Sequence, residues 1–245
     1  IYRQASAIAV ISPGFKQSLL KKGISEEKIH VILNWADEKI YRPVPRDTCL
    51  AEKFGMERRF NIVYAGSMGP PQGLHNVIEA ASMLSDIPDV QLVLIGDGLD
   101  KTSLEKAVKA RNLKNVRFLP RQPASQMPFF YALADALLVH LIDDPLFAIT
   151  IPGKTQSYLA CGRPLLMSIK GDATNLVIEA GAGVVVRPSD SADLACAIRK
   201  LYAMSPAERQ AMGNAGRDYF LKNLTMDMSL DKYENLFNKL YFCRN

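Results

Sequence analysis

The sequence predicts an α/β fold: a doubly wound, mostly parallel sheet, Rossmann-like, followed by a helical C-terminal tail. Three observations predict it. Short aliphatic and β-branched runs alternate with helical segments of about 10 to 15 residues, the pattern of βαβ units. The runs are nearly continuous in apolar residues, as strands buried on both faces require. The 245 residues are 48% apolar and 22% charged, which supplies a core and excludes disordered and disulfide-scaffold classes.

Taken in order, the first unit is a strand over Ala5–Ile11, a helix opened by Ser12-Pro13 and closed by Gly23, and a strand over Ile29–Leu33. Ser12 is a good N-cap and Pro13 suits the first helical position, where its missing N–H costs nothing. A polar stretch with two prolines, Tyr41 to Arg46, reads as a linker or domain crossing. Six further strands are expected at Phe60–Ala65, Val90–Ile95, Val116–Leu119, Ala136–Leu141, Leu165–Ile169 and Val184–Val186. Helices are expected between them at Leu74–Leu84, Thr102–Ala110, Ser125–Leu133, Lys154–Ala160 and Ala173–Ala180, with Ala192–Leu201 after the last strand. Right-handed crossovers leave a doubly wound sheet as the economical topology. Ser205-Pro-Ala-Glu208 is a capping box opening a helix to about Asn223. A last helix, Met226 to about Tyr241, sets Leu230, Tyr233, Leu236, Phe237 and Leu240 at helical spacing, an amphipathic face that needs a partner surface.

Thirty basic against 25 acidic side chains give a net charge of +5. That permits an anionic ligand or a membrane surface but is too diffuse to indicate nucleic acid. The four cysteines, Cys49, Cys161, Cys196 and Cys243, lack CxxC spacing, which favours free thiols in the cytoplasm. The longest apolar stretch, Ala132–Ile142, is interrupted by Asp135 and His140 and is too short for a bilayer, so any membrane contact is expected to be peripheral. The chain begins at Ile1 without an initiator Met, which suggests a piece of a longer polypeptide.

Ligands of an open parallel sheet bind at the carboxyl ends of its strands, so the chemistry should lie in the loops that follow them. Ala65-Gly-Ser-Met-Gly-Pro-Pro-Gln-Gly73 is glycine-rich and precedes a helix, which suits a phosphate cradle and equally a tight strand-to-helix turn. It is neither a Walker loop nor a G-x-G-x-x-G fingerprint. Gly96-Asp97-Gly98 and Pro120-Arg121-Gln122-Pro123 are ordinary loops taken alone, although Arg121 and Gln122 could address a base edge. The segment from Pro152 to Pro164 is more informative. It starts a helix with Gly153, Lys154, Thr155 and Gln156 and ends it at Gly162. A lysine at a helix N-terminus opposes the helix dipole. The placement makes sense if helix end and ammonium both face an anion; an exposed lysine of no consequence is the plain alternative.

Several stretches then fall into one series: Ile32–Asp37, Tyr64–Gly69, Leu94–Gly98, Val116–Leu119, Ala134–Ala136, Pro152–Lys154, Tyr158–Pro164 and Met212–Arg217. In this order they resemble the C-terminal, nucleotide-sugar-binding half of group 1 (family 4) glycosyltransferases of the GT-B fold, over almost the whole chain. The nearest likeness is to a bacterial branch with a P-[SG]-K-T-Q stretch, which transfers 6-deoxy-amino sugars such as N-acetyl-L-fucosamine in surface-polysaccharide synthesis (O-antigen, capsule).

The resemblance implies residues 1–41 as the last part of an N-terminal, acceptor-binding domain, 42–225 as the donor-binding domain, and 226–245 as a helix packing back toward the N-terminal domain. It implies a metal-free, retaining glycosyl transfer from a nucleotide-sugar, UDP favoured, to a glycan or lipid-linked acceptor, with the fragment alone inactive and located at most at the inner membrane face. Lys154 is the expected catalytic residue, with Gly66, Ser67, Met68, Gly69 and Gln72 on the donor diphosphate. Thr155, Gln156, Ser157 and Tyr158 fall near the ribose and sugar, and Gly96, Asp97, Arg121 and Gln122 near the base. No metal ligand is expected: Asp143-Asp144 reads as a solvated loop, and His30, His75 and His140 are isolated, His140 as a core histidine.

The chain departs from the family where many members carry Glu-x7-Glu, having Ile149 and Ser157, and where many carry Arg and Lys in the first loop, having Ser67 and Gln72. Subfamily character and a degenerate site both explain this. A non-catalytic nucleotide-binding module and a nucleotide-sugar epimerase of the same fold are the rival functions. A Rossmann oxidoreductase lacks the acidic residue about 20 positions beyond a glycine fingerprint.

Overall fold

The computed structural model describes residues 1–242, so Cys243 and the end of the expected C-terminal helix segment lie outside the described residues. The chain forms two parallel sheets. β1 (Ile8–Val10) and β2 (Ile29–Val31) pair in parallel across α1 (Pro13–Lys21). Ser12 caps α1 by accepting from the Phe15 N–H at 3.2 Å, with Pro13 in the first turn. Both strands are shorter than their apolar runs because the ladder holds only three residue pairs, Ile8–Ile29 to Val10–Val31.

Then follow α2 (Thr48–Phe54), β3 (Phe60–Ser67), α3 (Leu74–Ser82), β4 (Val90–Asp97), α4 (Lys101–Ala110), β5 (Val116–Leu119), α5 (Met127–Ala132) and β6 (Ala136–His140). The second half holds α6 (Pro145–Ala148), α7 (Gly153–Ala160), β7 (Leu165–Ser168), α8 (Asp172–Glu179) and β8 (Gly183–Val185). It ends with α9 (Ser191–Ala203), α10 (Pro206–Asn223) and α11 (Met226–Phe242). The six strands β3 to β8 form one parallel sheet in the order β5-β4-β3-β6-β7-β8. The order reverses between β3 and β6, as in a doubly wound fold.

Alternate strand residues face opposite sides, and both sides are buried. Val63, Val93, Leu137 and Met167 pack with α5, α7, α8 and α10 in one core. Ile62, Leu92, Leu138 and Leu166 pack with α3, α4 and α9 in the other. Full burial of each such side chain stabilises by about 1.5–3 kcal/mol, which is why these strands read as unbroken apolar runs.

Three local features were not expected. α2 lies just beyond the proline-bearing stretch, capped by Asp47, which accepts from the Leu50 N–H at 2.9 Å, and closed by left-handed Gly55. It is too short to show a helical period. The helix expected over Ser125–Leu133 splits into a 3-10 turn, Ala124–Gln126, and α5. Pro128 lacks the N–H that a continuous α-helix would use there. The Asp143-Asp144 pair is not merely a solvated loop: Asp144 caps α6 by accepting from Leu146 N–H, and Asp143 pairs with Lys170. In α11 the expected periodicity is present but its burial is selective. Leu236 is buried and Ser229 Oγ donates to the Leu33 carbonyl at 3.1 Å, whereas Leu230 and Phe237 are exposed.

Candidate functional site

β3 pairs with β4 along its whole length, but with β6 only at Ile62 and Val63. Beyond Val63 the pairing with β6 ends, and a crevice opens at the carboxyl ends of the sheet. Two cavities meet there, of about 340 Å³ and 490 Å³, sharing Tyr41, Ala65, Gly66, Ser67 and Tyr131 as walls. Gly96, Asp97, Arg121 and Gln122 line the smaller one. Trp35, Asp37, Gln72, Lys154 and Ser157 line the larger.

Lys154 enters from the first turn of α7, and its Nζ stands 3.8 Å from the centroid of the Tyr64 ring. Among the described residues no carboxylate lies within salt-bridge distance of it. Desolvation lowers its pKa to about 7. A cation on an aromatic face, at a positive helix end and without an acidic partner, is poised to receive an anion. Gly66 explains itself here: with φ +148 it occupies backbone space that L side chains rarely adopt, and a Cβ would stand 2.9 Å from Lys154 Nζ. A Cβ on Gly96 would lie 1.9 Å from the Gly66 carbonyl oxygen, so that glycine serves the close approach of the two loops.

Several candidates have other duties than those expected. The Met68 side chain is fully buried and its amide donates to the Asp97 carbonyl at 2.8 Å. The Gly69 amide donates to Gln72 Oε1 at 3.1 Å, which commits both groups to holding the loop's own shape. The amides thought to cradle a diphosphate are thus in part spent, because Pro70–Gln72 forms a 3-10 turn before α3 begins. In α7, Thr155, Gln156 and Tyr158 are buried rather than facing the cleft, and the Thr155 Oγ1 meets no partner among the described residues. The Tyr158 hydroxyl lies at the end of β3, accepting from the Ala65 N–H at 3.0 Å and donating to the Ala65 carbonyl at 3.3 Å. From this helix Gly153, Lys154 and Ser157 reach the cleft, and Ser157 Oγ donates to the Lys154 carbonyl at 3.1 Å. A 3.6-residue period permits only one such face.

The sequence reading missed Tyr41 and Tyr131, whose stacked rings, 6.4 Å apart and inclined by 20°, wall both cavities. Tyr41 opens the proline-bearing stretch and Tyr131 sits in a short helix, so nothing local marks either. Tyr64, the floor under Lys154, was read as strand and as the head of the Tyr64–Gly69 stretch but given no task; its hydroxyl donates to the Ser67 carbonyl at 2.6 Å and burial raises its pKa. His140 is a core histidine as expected, 1% exposed, but with a specific bond. Its Nδ1 donates to the Gln72 carbonyl at 2.7 Å and its Nε2 lies 3.0 Å from Asn76 Oδ1. Burial, reinforced by the Lys154 charge, lowers its pKa to about 4, so the ring is neutral near pH 7.

Among the described residues no helix is long and apolar enough to cross a membrane. The chain is 26% identical over 240 residues, 95% of its length, to a probable glycosyltransferase, WbjE, of Pseudomonas aeruginosa, and covers 58% of that protein. It is 30% identical over 158 residues, 63% of its length, to the putative colanic acid biosynthesis glycosyl transferase WcaI of Escherichia coli K12, and covers 38% of it. The fold matches that of Anabaena Alr3699/HepE in complex with UDP-glucose, with a TM-score of 0.84 and 20% identity over 97% of this chain and 65% of that one. Residues 50–219 match the family model of glycosyl transferases group 1, and the chain belongs to that family.

Proposed function

We propose that this chain is the donor-binding part of a glycosyltransferase that moves a sugar from a nucleoside diphosphate, UDP favoured, to a hydroxyl of a glycan or lipid-linked acceptor. The observation that carries the reading is the Lys154 ammonium, without an acidic partner among the described residues, in the crevice where the strand order reverses. The adjoining cavity has the aromatic wall of Tyr41 and Tyr131 and the polar groups Asp97, Arg121 and Gln122, which suit a base and ribose. HepE, of the same fold, is known in complex with UDP and UDP-glucose.

Breaking the glycosidic bond places negative charge on the departing diphosphate. A preorganised cation aimed at that charge lowers the barrier without reorganising. In this reading Lys154 supplies the charge, Gly66 and Ser67 let the phosphates approach the backbone, and Ser157 offers one hydroxyl to the ribose or sugar. The reading assigns no metal. Surface-polysaccharide synthesis belongs to the same proposal, supported by likeness to the putative colanic acid biosynthesis glycosyl transferase WcaI; a UDP-linked deoxy-amino sugar as donor, retention of configuration and work at the inner membrane face belong to it on the motif resemblance alone. So does the division into residues 1–41, 42–225 and 226–245, with the acceptor held by the N-terminal domain of which residues 1–41 are the last part. Buried Thr155 and Tyr158 are left out of donor contact.

Calorimetry with UDP tests the reading. Wild-type chain is expected to bind UDP more tightly than GDP or NAD, and Lys154→Ala to weaken UDP by about 10- to 100-fold, as loss of a charge-assisted contact implies. Equal affinity of the two chains would remove Lys154 from the site.

A further inference from the structure

His140 is the one buried imidazole that the donor-binding reading leaves without a task, and its contacts reach the donor loop rather than the core. Nδ1 faces a carbonyl, that of Gln72, at 2.7 Å. A carbonyl only accepts, so the ring carries a proton on Nδ1; in the neutral ring Nε2 then accepts, and Asn76, whose Oδ1 lies 3.0 Å from Nε2, must turn its amide nitrogen toward the ring. Two residues on, the Ile142 N–H donates to the Pro71 carbonyl at 3.1 Å. The end of β6 therefore grips two successive carbonyls of the 3-10 turn Pro70–Gln72. The Gln72 side chain, in turn, holds the Gly69 amide. A Cβ on Gly73 would stand 2.8 Å from Ile142 Cγ2 and 3.4 Å from His140 Cε1, so the loop closes directly against these two residues.

We infer that His140 is a positioning residue for the donor site, whose Nδ1–H pins the Gly66–Gly73 loop at the distance from Lys154 that a diphosphate requires. The inference rests on the donor reading proposed above. β3 and β6 are unpaired beyond Val63, so no ladder hydrogen bond between them fixes this distance. The grip of β6 on the loop replaces that ladder. A neutral imidazole suits the place, because a second cation would stand beside Lys154 and repel it.

The tautomer is read first, in the wild-type chain, by long-range nitrogen–proton NMR of its three histidines. An Nδ1-protonated, neutral His140 at pH 7 is expected; protonation on Nε2 alone overturns the inference whatever the chain binds. His140→Phe keeps a flat ring, slightly larger, and removes the donor. It is expected to weaken UDP by roughly tenfold and to speed amide exchange at Gly69 and Ile142, as loosened support of a site implies. His140→Asn places an amide nitrogen where Nδ1 stood and is expected to recover UDP affinity to within about threefold of wild type and to restore slow exchange. A folded His140→Phe that binds UDP like wild type overturns the inference, as does a His140→Asn as weak as the phenylalanine variant. A wild-type chain that takes up no UDP instead overturns the donor reading, while the NMR and exchange data still report on the pin.

Discussion

At Lys154 two demands compete, because burial that primes an ammonium for an anion also makes it costly to keep charged. Its pKa of about 7 lies below the ordinary lysine value of 10.5, so between these two values the unfolded chain binds more protons than the folded one at this position. Stability contributed by this group therefore rises with pH across that window and is lowest below pH 7. Lys154→Met is expected to stabilise the chain at pH 6.5 by about 1–2 kcal/mol, since the side chain keeps some contact with water, while UDP binding is lost. Thermal melts against calorimetry test this opposition. A bound diphosphate favours the ammonium, so binding takes up a proton above pH 7, and UDP affinity is expected to fall as pH rises from 7 to 9, by at most about tenfold per unit. Calorimetry at pH 8 in buffers of different ionisation heat would register that proton; its absence refutes the linkage. Gly66→Ala is expected to push the ammonium aside, weakening UDP about tenfold, with about 1–3 kcal/mol lost from the fold because φ +148 is strained for alanine even where the end of a lysine gives way.

Among the elements, α7 shows how a helix can carry the site and the core at once. Its first turn presents Lys154 to the cleft, whereas Tyr158 faces inward and braces the end of β3 at Ala65, 93 residues away in sequence. Tyr158→Phe is expected to cost about 1–2 kcal/mol in a thermal melt and to change UDP affinity less than threefold, the reverse of what a ribose ligand would show. The cleft-facing half of this helix was legible in the sequence because a lysine against the helix dipole is anomalous locally. Its inward half was not, because Thr155, Gln156 and Tyr158 carry polar atoms that suit either direction, and only packing on β3 and α10 chooses. The caps at Ser12 and Ser205 were legible, since a cap depends on neighbours three residues apart, whereas Asp47 and Asp144 cap helices too short to show a period.

For the molecule as a whole, the small β1–β2 unit and the six-stranded sheet meet at two polar contacts on the N-terminus of α1. Ser12 Oγ donates to the Ile149 carbonyl at 2.5 Å, and the Gly14 amide donates to Asp172 Oδ2 at 2.6 Å. Ile149 is thereby tied by its backbone to the small unit. A Cβ on Gly14 would lie 2.6 Å from Ile149 Cβ, so Gly14→Val is expected to wedge the junction apart. The expected result is about 1–3 kcal/mol of lost stability and faster amide exchange around residues 12–16 and 147–152, with the hydrogen-bonded core of the large sheet unchanged. Exchange unaltered at this seam would mean that the contacts do not hold the two units together.

The sequence by itself determined the alternation of strands and helices, the doubly wound sheet, the caps at Ser12 and Ser205, and the odd placing of Lys154 at a helix N-terminus. All of these follow from local burial, local hydrogen bonding or a residue at odds with its own helix. Tertiary structure alone decided what Lys154 faces and what holds the loop opposite it. Tyr41, Tyr64 and Tyr131 come together with Lys154 in one cleft, and His140 meets the Gln72 carbonyl, because β3 and β6 become neighbours and then cease to pair. That adjacency joins residues far apart in the chain, and no period or spacing within either strand encodes it.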